Sequence, residues 1–600
     1  MARYSESDAT AIYDIAQMWR QTCLIEGKSL LWDGEDIWTE QNLKDFKKYF
    51  TDNPDESQRS FEEKLQQQLT PAGLSVTKLA CEIVLIYFLF PSTISGKRKR
   101  ELIQTIAGWK SIPIGVGKTP FLSRLDVGIG GPGLAYNTRR PYELAYLGKV
   151  ALEIASKTPG DRRAVLEDHD QFRKLLDEAE DEGTRQSRDI LLHLLFPDKY
   201  ERIASRGHKQ VIAEAFGDLL DSGAAPDDID EKILLIRTEL ERLLPNQKLD
   251  FYWPPLRDVW YVPGEDDELN PLQGLSIKKQ IVLYGPPGTG KTFEARQLSD
   301  RLVRQGLLRA WGPRRYFTDE KAVADLVSAR TRRVQFHPGF AYEDLVRGLR
   351  LGDGGRTEYS DGILLRVIRE IQETDANLIN IPFVVILDEL NRADLSKVLG
   401  ECFSLLEDRD APVQLAGQDE KPREVFIPLQ LHFVGTMNLI DQSLEQVDFA
   451  LRRRFLWFFR GFEREQFIDV SRHRWELLNR SKRIRKLWER FAPEFEVLAD
   501  RAESINGEIE KQPSLGAQYQ IGHTYFCDIV YFIEKDLAAR PQRQFVLYSA
   551  KGHGRDSTVG ALWKYSLRPL LEQYLSGVDS DERRQFLSKT EQILLRGGVS

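Results

Sequence analysis

Gly285-Pro-Pro-Gly-Thr-Gly-Lys-Thr292 follows the apolar run Ile281-Val-Leu-Tyr284 and precedes a helical pattern over Phe293 to Val303. A buried strand, a glycine-rich loop and a helix in that order form the G-x-x-x-x-G-K-[ST] phosphate loop in the setting the motif requires. The glycines let backbone N–H groups turn inward around phosphates, and the helix N-terminus adds a partial positive charge. Lys291 places a point charge on the outer phosphates, and Thr292 offers a hydroxyl to Mg2+. Gly285, Pro286, Pro287, Gly288, Thr289, Gly290, Lys291 and Thr292 are the candidate nucleotide-binding residues.

Two other glycine clusters imitate this loop. Gly115-Val-Gly-Lys-Thr119 has Ile112 where the leading glycine belongs, and Gly117 to Pro120 leads into no clear helical stripe. Gly128-Ile-Gly-Gly-Pro-Gly133 matches G-x-G-x-x-G by letter but follows no strand run. Pro132 also removes a donor that a phosphate would need. Both read as ordinary turns.

Beyond the phosphate loop, short β-branched runs alternate with longer amphipathic segments, at Ile281 to Tyr284, Arg333 to Phe336, Phe383 to Leu387 and Leu431 to Thr436. That is an α/β pattern. Phe383-Val-Val-Ile-Leu387 ends in Asp388-Glu389, which the strand delivers to the carboxyl edge of the sheet, where ligands sit in such folds. Asp388, with Thr292, is the candidate to hold Mg2+ through water, and Glu389 to orient and polarise the attacking water. The next strand ends in Met437-Asn438, whose amide can hold that water from the other side. Arg452, Arg453 and Arg454 follow one another in Val447 to Phe455. On a helix each is turned about 100° from the last, so at least one faces outward, available to a neighbouring subunit's phosphate.

The 600 residues suggest three to five domains at roughly 100–200 residues each. Hydrophobic content is 41 % and charged content 29 %, enough for large cores. The net charge of −8 excludes a dedicated nucleic-acid coat, so any DNA contact is local. Cys23, Cys81, Cys402 and Cys527 are scattered, which argues against a disulfide framework or zinc site and for a reducing compartment. The N-terminus has no apolar signal core, and the most apolar run, Ile83 to Phe90, is too short for a membrane span and reads as a buried core helix. A cytoplasmic protein without a membrane segment is the expectation.

The pattern implies a multidomain chain with a mostly α-helical N-terminal region, an α/β core and an α-helical C-terminal region, which the resemblance described below makes a lid. Its boundaries are a front recognition or effector domain over 1–225, a helix and linker over 226–274, the nucleotide-binding domain over 275–459 and the lid over 460–600. In the second segment Leu234, Leu235, Leu240, Leu243 and Leu244 suggest an apolar helical stripe.

Four stretches together resemble the McrB-type branch of AAA+ proteins, the NTPase motors of modified-cytosine restriction systems. They are Gln335-Phe-His-Pro-Gly-Phe-Ala-Tyr-Glu-Asp344, Asp388-Glu-Leu-Asn-Arg392 with Leu395-Ser-Lys397 and Gly400-Glu401, Gly435-Thr-Met-Asn-Leu-Ile-Asp-Gln-Ser443, and Ala450-Leu-Arg-Arg-Arg-Phe455. Ile521-Gly-His-Thr-Tyr-Phe526 and Leu567 to Tyr574 look like the family's lid ending. The resemblance spans about 275 to 580. It implies an AAA+ P-loop NTPase working as a homo-oligomer, usually a hexameric ring, with GTP or ATP and Mg2+ between subunits. It further implies a McrC-like nuclease partner that stimulates hydrolysis. By the same resemblance Asn438 and Asp441 fall in a loop that senses nucleotide and partner, and Arg392 joins Arg452 to Arg454 as a candidate trans-acting arginine. The chain departs from the pattern at Leu439-Ile440 and at Gln442, where the family carries Thr-Ala and an arginine.

The front region varies widely in this family and recognises the target, which implies binding of DNA or another invader signal in anti-phage defence. Trp32, Trp38, Arg139, Arg140, Lys97-Arg-Lys-Arg100 and Arg206-Gly-His-Lys209 are its candidate contacts. Two rival readings remain: a MoxR-like ATPase remodelling a protein client, and a non-hydrolysing scaffold, against which Lys291, Asp388, Glu389 and Asn438 speak.

Overall fold

The computed structural model describes residues 9–595 apart from 55–56, 58, 133–135, 137–138, 180–185, 221–225, 246, 262–268, 352–356, 410, 416–422, 441–448, 485, 543–546 and 548–556. The chain divides into two compact units: Met1–Val262 with Gly312–Thr318, and Pro263–Trp311 with Asp319–Ser600.

The first unit is helical, as expected. Its helices include α1 (Thr10–Met18), α2 (Leu74–Tyr87), α3 (Gln186–Leu195), α4 (Arg206–Ala215) and α5 (Ile229–Leu243). The run Ile83 to Phe90 is buried throughout, but it is helical only to Tyr87. The Phe90 carbonyl leaves the helix to accept from the N–H groups of Ile129 (2.9 Å) and Gly130 (3.0 Å). That explains the second glycine cluster. A Cβ on Gly128 would lie 2.2 Å from the Pro91 carbonyl oxygen, so glycine is needed there for close backbone packing and not for a phosphate. The first cluster behaves differently from its sequence reading, because Thr119–Ser123 is a short helix.

Burial also overturns most of the nucleic-acid candidates in this unit. Trp38 is buried and donates from Nε1 to Glu82 (2.5 Å), which also accepts from Ser29 Oγ (2.5 Å) and Leu31 N (2.7 Å). Burial raises the Glu82 carboxyl above its ordinary range despite these bonds. Trp32 is buried too and donates to the Pro113 carbonyl. Within the basic run, Lys99 is fully buried, Arg98 pairs with Glu62 and Arg100 with Asp126, leaving Lys97 exposed. Arg140 lies over the rings of Phe61, Tyr87 and Phe88. Lys209 is buried between Asp189 (2.8 Å) and Asp230 (2.5 Å), and Arg188 binds the same two carboxylates and Asp177 (2.9 Å), so each buried charge in the cluster is paired. His208 meets the Tyr252 hydroxyl. These side chains hold the unit together instead of forming a face for bases. In α5 the apolar stripe is Ile233, Ile236 and Leu240, while Leu235 is 44 % exposed.

The second unit carries the sheet. In chain order it has β1 (Gln280–Gly285), α6 (Lys291–Thr318, counted with the first unit from Gly312 on), β2 (Thr331–Gln335), β3 (Arg347–Leu351), β4 (Thr357–Asp361), α7 (Ile363–Gln372), β5 (Phe383–Asp388), β6 (Val413–Gln414), β7 (Glu424–Val425), β8 (Leu431–Asn438), α8 (Phe449–Arg454) and β9 (Leu456–Phe459). α6 is interrupted at Gly312. Five strands make one parallel sheet in the order β2-β5-β8-β1-β9. Every residue of β5 is buried, as the unbroken apolar run requires in a parallel sheet covered on both faces. β3 and β4 form one separate hairpin, β6 and β7 another.

A helical lid follows, with α9 (Arg464–Arg480), α10 (Ala492–Lys511), α11 (His523–Cys527), α12 (Ile529–Ala539) and α13 (Ser580–Leu595). Its own core includes Trp475, Phe495, Phe526 and Leu571. The four cysteines are free and buried, and no described helix is long and apolar enough to cross a membrane.

Candidate functional site

The strand register assembles the site. β8 lies between β5 and β1, with Asn438 opposite Gly285 and Gly435 opposite Leu387. The carboxyl ends of these three strands therefore meet at one edge, and α6 starts there at Lys291. Gly288 and Gly290 adopt φ of +77° and +75°, a region that side chains disfavour. The loop is closed by its own bonds. Thr289 Oγ1 donates to the Pro286 carbonyl (3.1 Å), and Lys291 Nζ lies 2.6 Å from that oxygen and 3.2 Å from the Gly285 carbonyl. Lys291 is only 6 % exposed.

Asp388 stands beside this loop. Its Oδ1 accepts from the hydroxyls of Thr292 (2.9 Å) and Thr436 (2.5 Å), and its Oδ2 accepts from Arg333 Nε (3.0 Å) and Nη2. Burial works to raise its pKa, but the bonds from Thr436, Arg333 and Thr292 outweigh it and hold the carboxyl below the usual range. Thr292 and Asp388 together offer hard oxygen donors at the mouth of the phosphate loop, the donor type Mg2+ takes. Among the described residues no three His, Cys, Asp or Glu side chains could hold a metal by themselves.

Glu389 has a left-handed backbone, φ +59°, and its carboxylate pairs with Arg392 Nε at 2.8 Å. Arg392, a candidate to act in trans, thus lies on the glutamate of its own chain. Asn391 Nδ2 donates to the Asn438 carbonyl (2.8 Å) and ties the turn after β5 to the end of β8. Asp441 lies outside the described residues.

The structure sorts the arginine triplet. Arg454 lies over the Phe403 ring, is half-buried and sits 3.4 Å from Glu407. Arg453 binds the same glutamate at 2.8 Å. Arg452 is exposed and stacks on Trp457, with no ion pair among the described residues.

The sequence reading missed two groups. Arg333 falls within a strand run, and its basic character two positions before Gln335, the register partner of Asp388, is the one signal that points to it. The second group is the lid's approach to the loop. Thr524 donates from its N–H (3.0 Å) and its hydroxyl (2.8 Å) to the Gly288 carbonyl. A Cβ on Gly522 would lie 2.3 Å from the Gly288 carbonyl carbon. His523 is 1 % exposed, with an Nδ1 that makes no hydrogen bond among the described residues. Its pKa is pulled down to about 4 by burial first, then by the positive charges of Arg474 and Lys291.

Comparison with known proteins agrees with this layout. Residues 280–455 match the AAA domain of the dynein-related subfamily, and residues 497–582 match the McrB α-helical lid domain. The type IV methyl-directed restriction enzyme EcoKMcrB subunit of Escherichia coli (strain K12) is 35 % identical over 264 residues, covering 43 % of this chain and 49 % of that protein. The type II restriction enzyme BsuMI component YdiS of Bacillus subtilis (strain 168) is 26 % identical over 253 residues, covering 36 % of this chain and 66 % of that protein. The chain thus spans about half the length of the first relative and just under two thirds of the second.

Proposed function

Because this chain carries a McrB-type AAA+ NTPase module, an AAA domain followed by a McrB lid, we propose that it is the motor subunit of a restriction system, hydrolysing GTP or ATP with Mg2+. The observation that carries this reading is the meeting of Lys291, Thr292 and the Asp388-Glu389 pair at one sheet edge.

In this reading the N–H groups of the loop and the Lys291 ammonium bind the outer phosphates, which requires Lys291 to exchange the Pro286 carbonyl for phosphate oxygen. Thr292 and Asp388 would hold Mg2+, which when bound neutralises charge building on the phosphates. Glu389 leaves Arg392 to orient the attacking water, and Asn438 faces that water from β8. Arg452 is the arginine best placed to serve a neighbouring subunit, since Arg453 and Arg454 share Glu407. An arginine supplied in trans requires a ring or chain of copies, and a hexamer is the proposed form. A McrC-like nuclease is the proposed partner, in keeping with two relatives that are restriction-enzyme components.

Glu389→Gln tests the assignment. It removes the base while leaving Lys291 and Thr292 in place, so nucleotide binding and assembly are retained and phosphate release is lost. Normal phosphate release would refute the role of Glu389. A second reading, remodelling of a protein client, draws on the β3–β4 hairpin, where Leu349 is 61 % and Leu351 78 % exposed. Salt-sensitive DNA binding by the full chain favours restriction, whereas binding only to a folded protein favours remodelling.

A further inference from the structure

Asp388 accepts hydrogen bonds on both oxygens from within the chain. Oδ1 serves the hydroxyls of Thr292 and Thr436, and Oδ2 serves Nε and Nη2 of Arg333 in the two-pronged manner of a guanidinium. The carboxylate is buried, but the Arg333 side chain is 38 % exposed and has solvent to move into. Its neighbour Arg332 turns the other way and pairs with Glu370 (3.0 Å), so Arg333 alone of this pair faces the site.

A hydrated divalent cation held by Thr292 and Asp388 needs an oxygen of Asp388 for one of its waters. Oδ1 already takes two hydroxyls, one of them from Thr292 itself, so the oxygen left is Oδ2, which Arg333 holds. A guanidinium and a doubly charged ion sharing that oxygen would lie within roughly 7 Å, where their repulsion exceeds a tenfold change in affinity at the effective dielectric of a protein site.

We propose that Arg333 is a displaceable counter-ion for Asp388, which Mg2+ must drive off Oδ2 as nucleotide loads. Metal binding is then a competition between two cations for one carboxylate. Arg333 holds Asp388 oriented beside Thr292, and it sets the Mg2+ concentration at which the loaded site forms. This inference rests on Asp388 being the metal-side carboxylate.

The test is binding of a fluorescent nucleotide to the full chain, titrated with Mg2+, together with direct Mn2+ binding by electron paramagnetic resonance. Arg333→Met is expected to lower the half-saturating metal concentration by about tenfold or more, with nucleotide affinity in EDTA changed by less than about threefold. Arg333→Lys, which keeps the charge but loses the fork, should fall between Arg333→Met and the parent. Should Arg333→Met fail to fold, Arg333→Gln supplies the neutral side chain for the same titration. An unchanged or higher metal requirement in the neutral variant overturns the proposal. Asp388→Asn separates the two levels: if it leaves the metal dependence intact, the site reading itself fails. If Asp388→Asn alters it and the neutral Arg333 variant does not, only the competition fails.

Discussion

Gly522→Ala should weaken nucleotide binding without touching a side chain of the phosphate loop. The added methyl would lie 2.3 Å from the Gly288 carbonyl carbon and 2.4 Å from the carbonyl oxygens of Gly288 and Pro287. All three are backbone atoms, so no rotamer change relieves the clash, and the lid must retreat by roughly 1 Å to restore ordinary contact. Overpacking of this kind costs about 1–3 kcal/mol. The retreat also strains the two bonds from Thr524 to Gly288, at about 1 kcal/mol each. A total of about 3–5 kcal/mol, with both bonds lost, corresponds to a loss of roughly a hundredfold or more if the lid must rest on the loop for phosphate to bind. The assay is titration with a fluorescent nucleotide, paired with thermal unfolding to separate lost affinity from lost fold. Gly507→Ala is the control, since it lies within α10 and its Cβ would meet nothing within 4 Å. Affinity and melting temperature of Gly522→Ala both matching the control would refute the claim that lid and loop are in obligatory contact.

Arg452→Ala should cut hydrolysis by about a hundredfold or more while nucleotide still binds, as for an arginine acting in trans, whereas Arg454→Ala should mainly lower the melting temperature; steady-state hydrolysis with binding isotherms distinguishes them. Lys209→Ala leaves Asp189 and Asp230 facing Arg188 alone and should cost about 3–5 kcal/mol in urea unfolding of the first unit. His432 is buried, and burial above all, with Lys279 and Arg409 adding to it, pushes its pKa down to about 4 against the bond to the Gln430 carbonyl. The folded state keeps this imidazole neutral, so its contribution is whole above pH 6.5 and is lost as pH falls from there toward 4. That amounts to about 3 kcal/mol, and His432→Gln should flatten the acid limb of the unfolding curve.

The features legible in the sequence were those written in adjacent residues. A strand, glycines, a lysine and a helix follow one another from Ile281 to Val303, so the loop was readable, and the unbroken run Phe383 to Leu387 marked a strand that carries Asp388 to the sheet edge. The α/β core and the helical C-terminal region followed from the same periodicities, and the lid from the resemblance. What escaped arises from chain segments far apart. Arg333 and Asp388 are 55 residues apart in sequence, and Thr524 lies 236 from Gly288. Trp38 has the composition of a stacking surface but is drawn inward by Glu82, 44 residues on, a pairing that no local pattern records. In α5 the apolar stripe was misplaced because its leucines outnumber the isoleucines that face the core. The ranking of Arg452 above Arg453 and Arg454 needed Glu407 and Phe403, which reach the triplet only in the folded chain.

The bonds that close the phosphate loop bear on how a null allele of this protein should be read. Lys291 fastens the carbonyls of Gly285 and Pro286, both on buried residues, as well as offering its charge to a ligand. Truncating it takes one donor from each carbonyl, leaving the Leu439 N–H on Gly285 and the Thr289 hydroxyl on Pro286, so a Lys291→Ala protein is loosened in its scaffold as well as altered in its affinity. A phenotype seen with that allele would mix two causes, and only a substitution that leaves the loop's internal fastening alone, such as Glu389→Gln, can assign it to the chemistry.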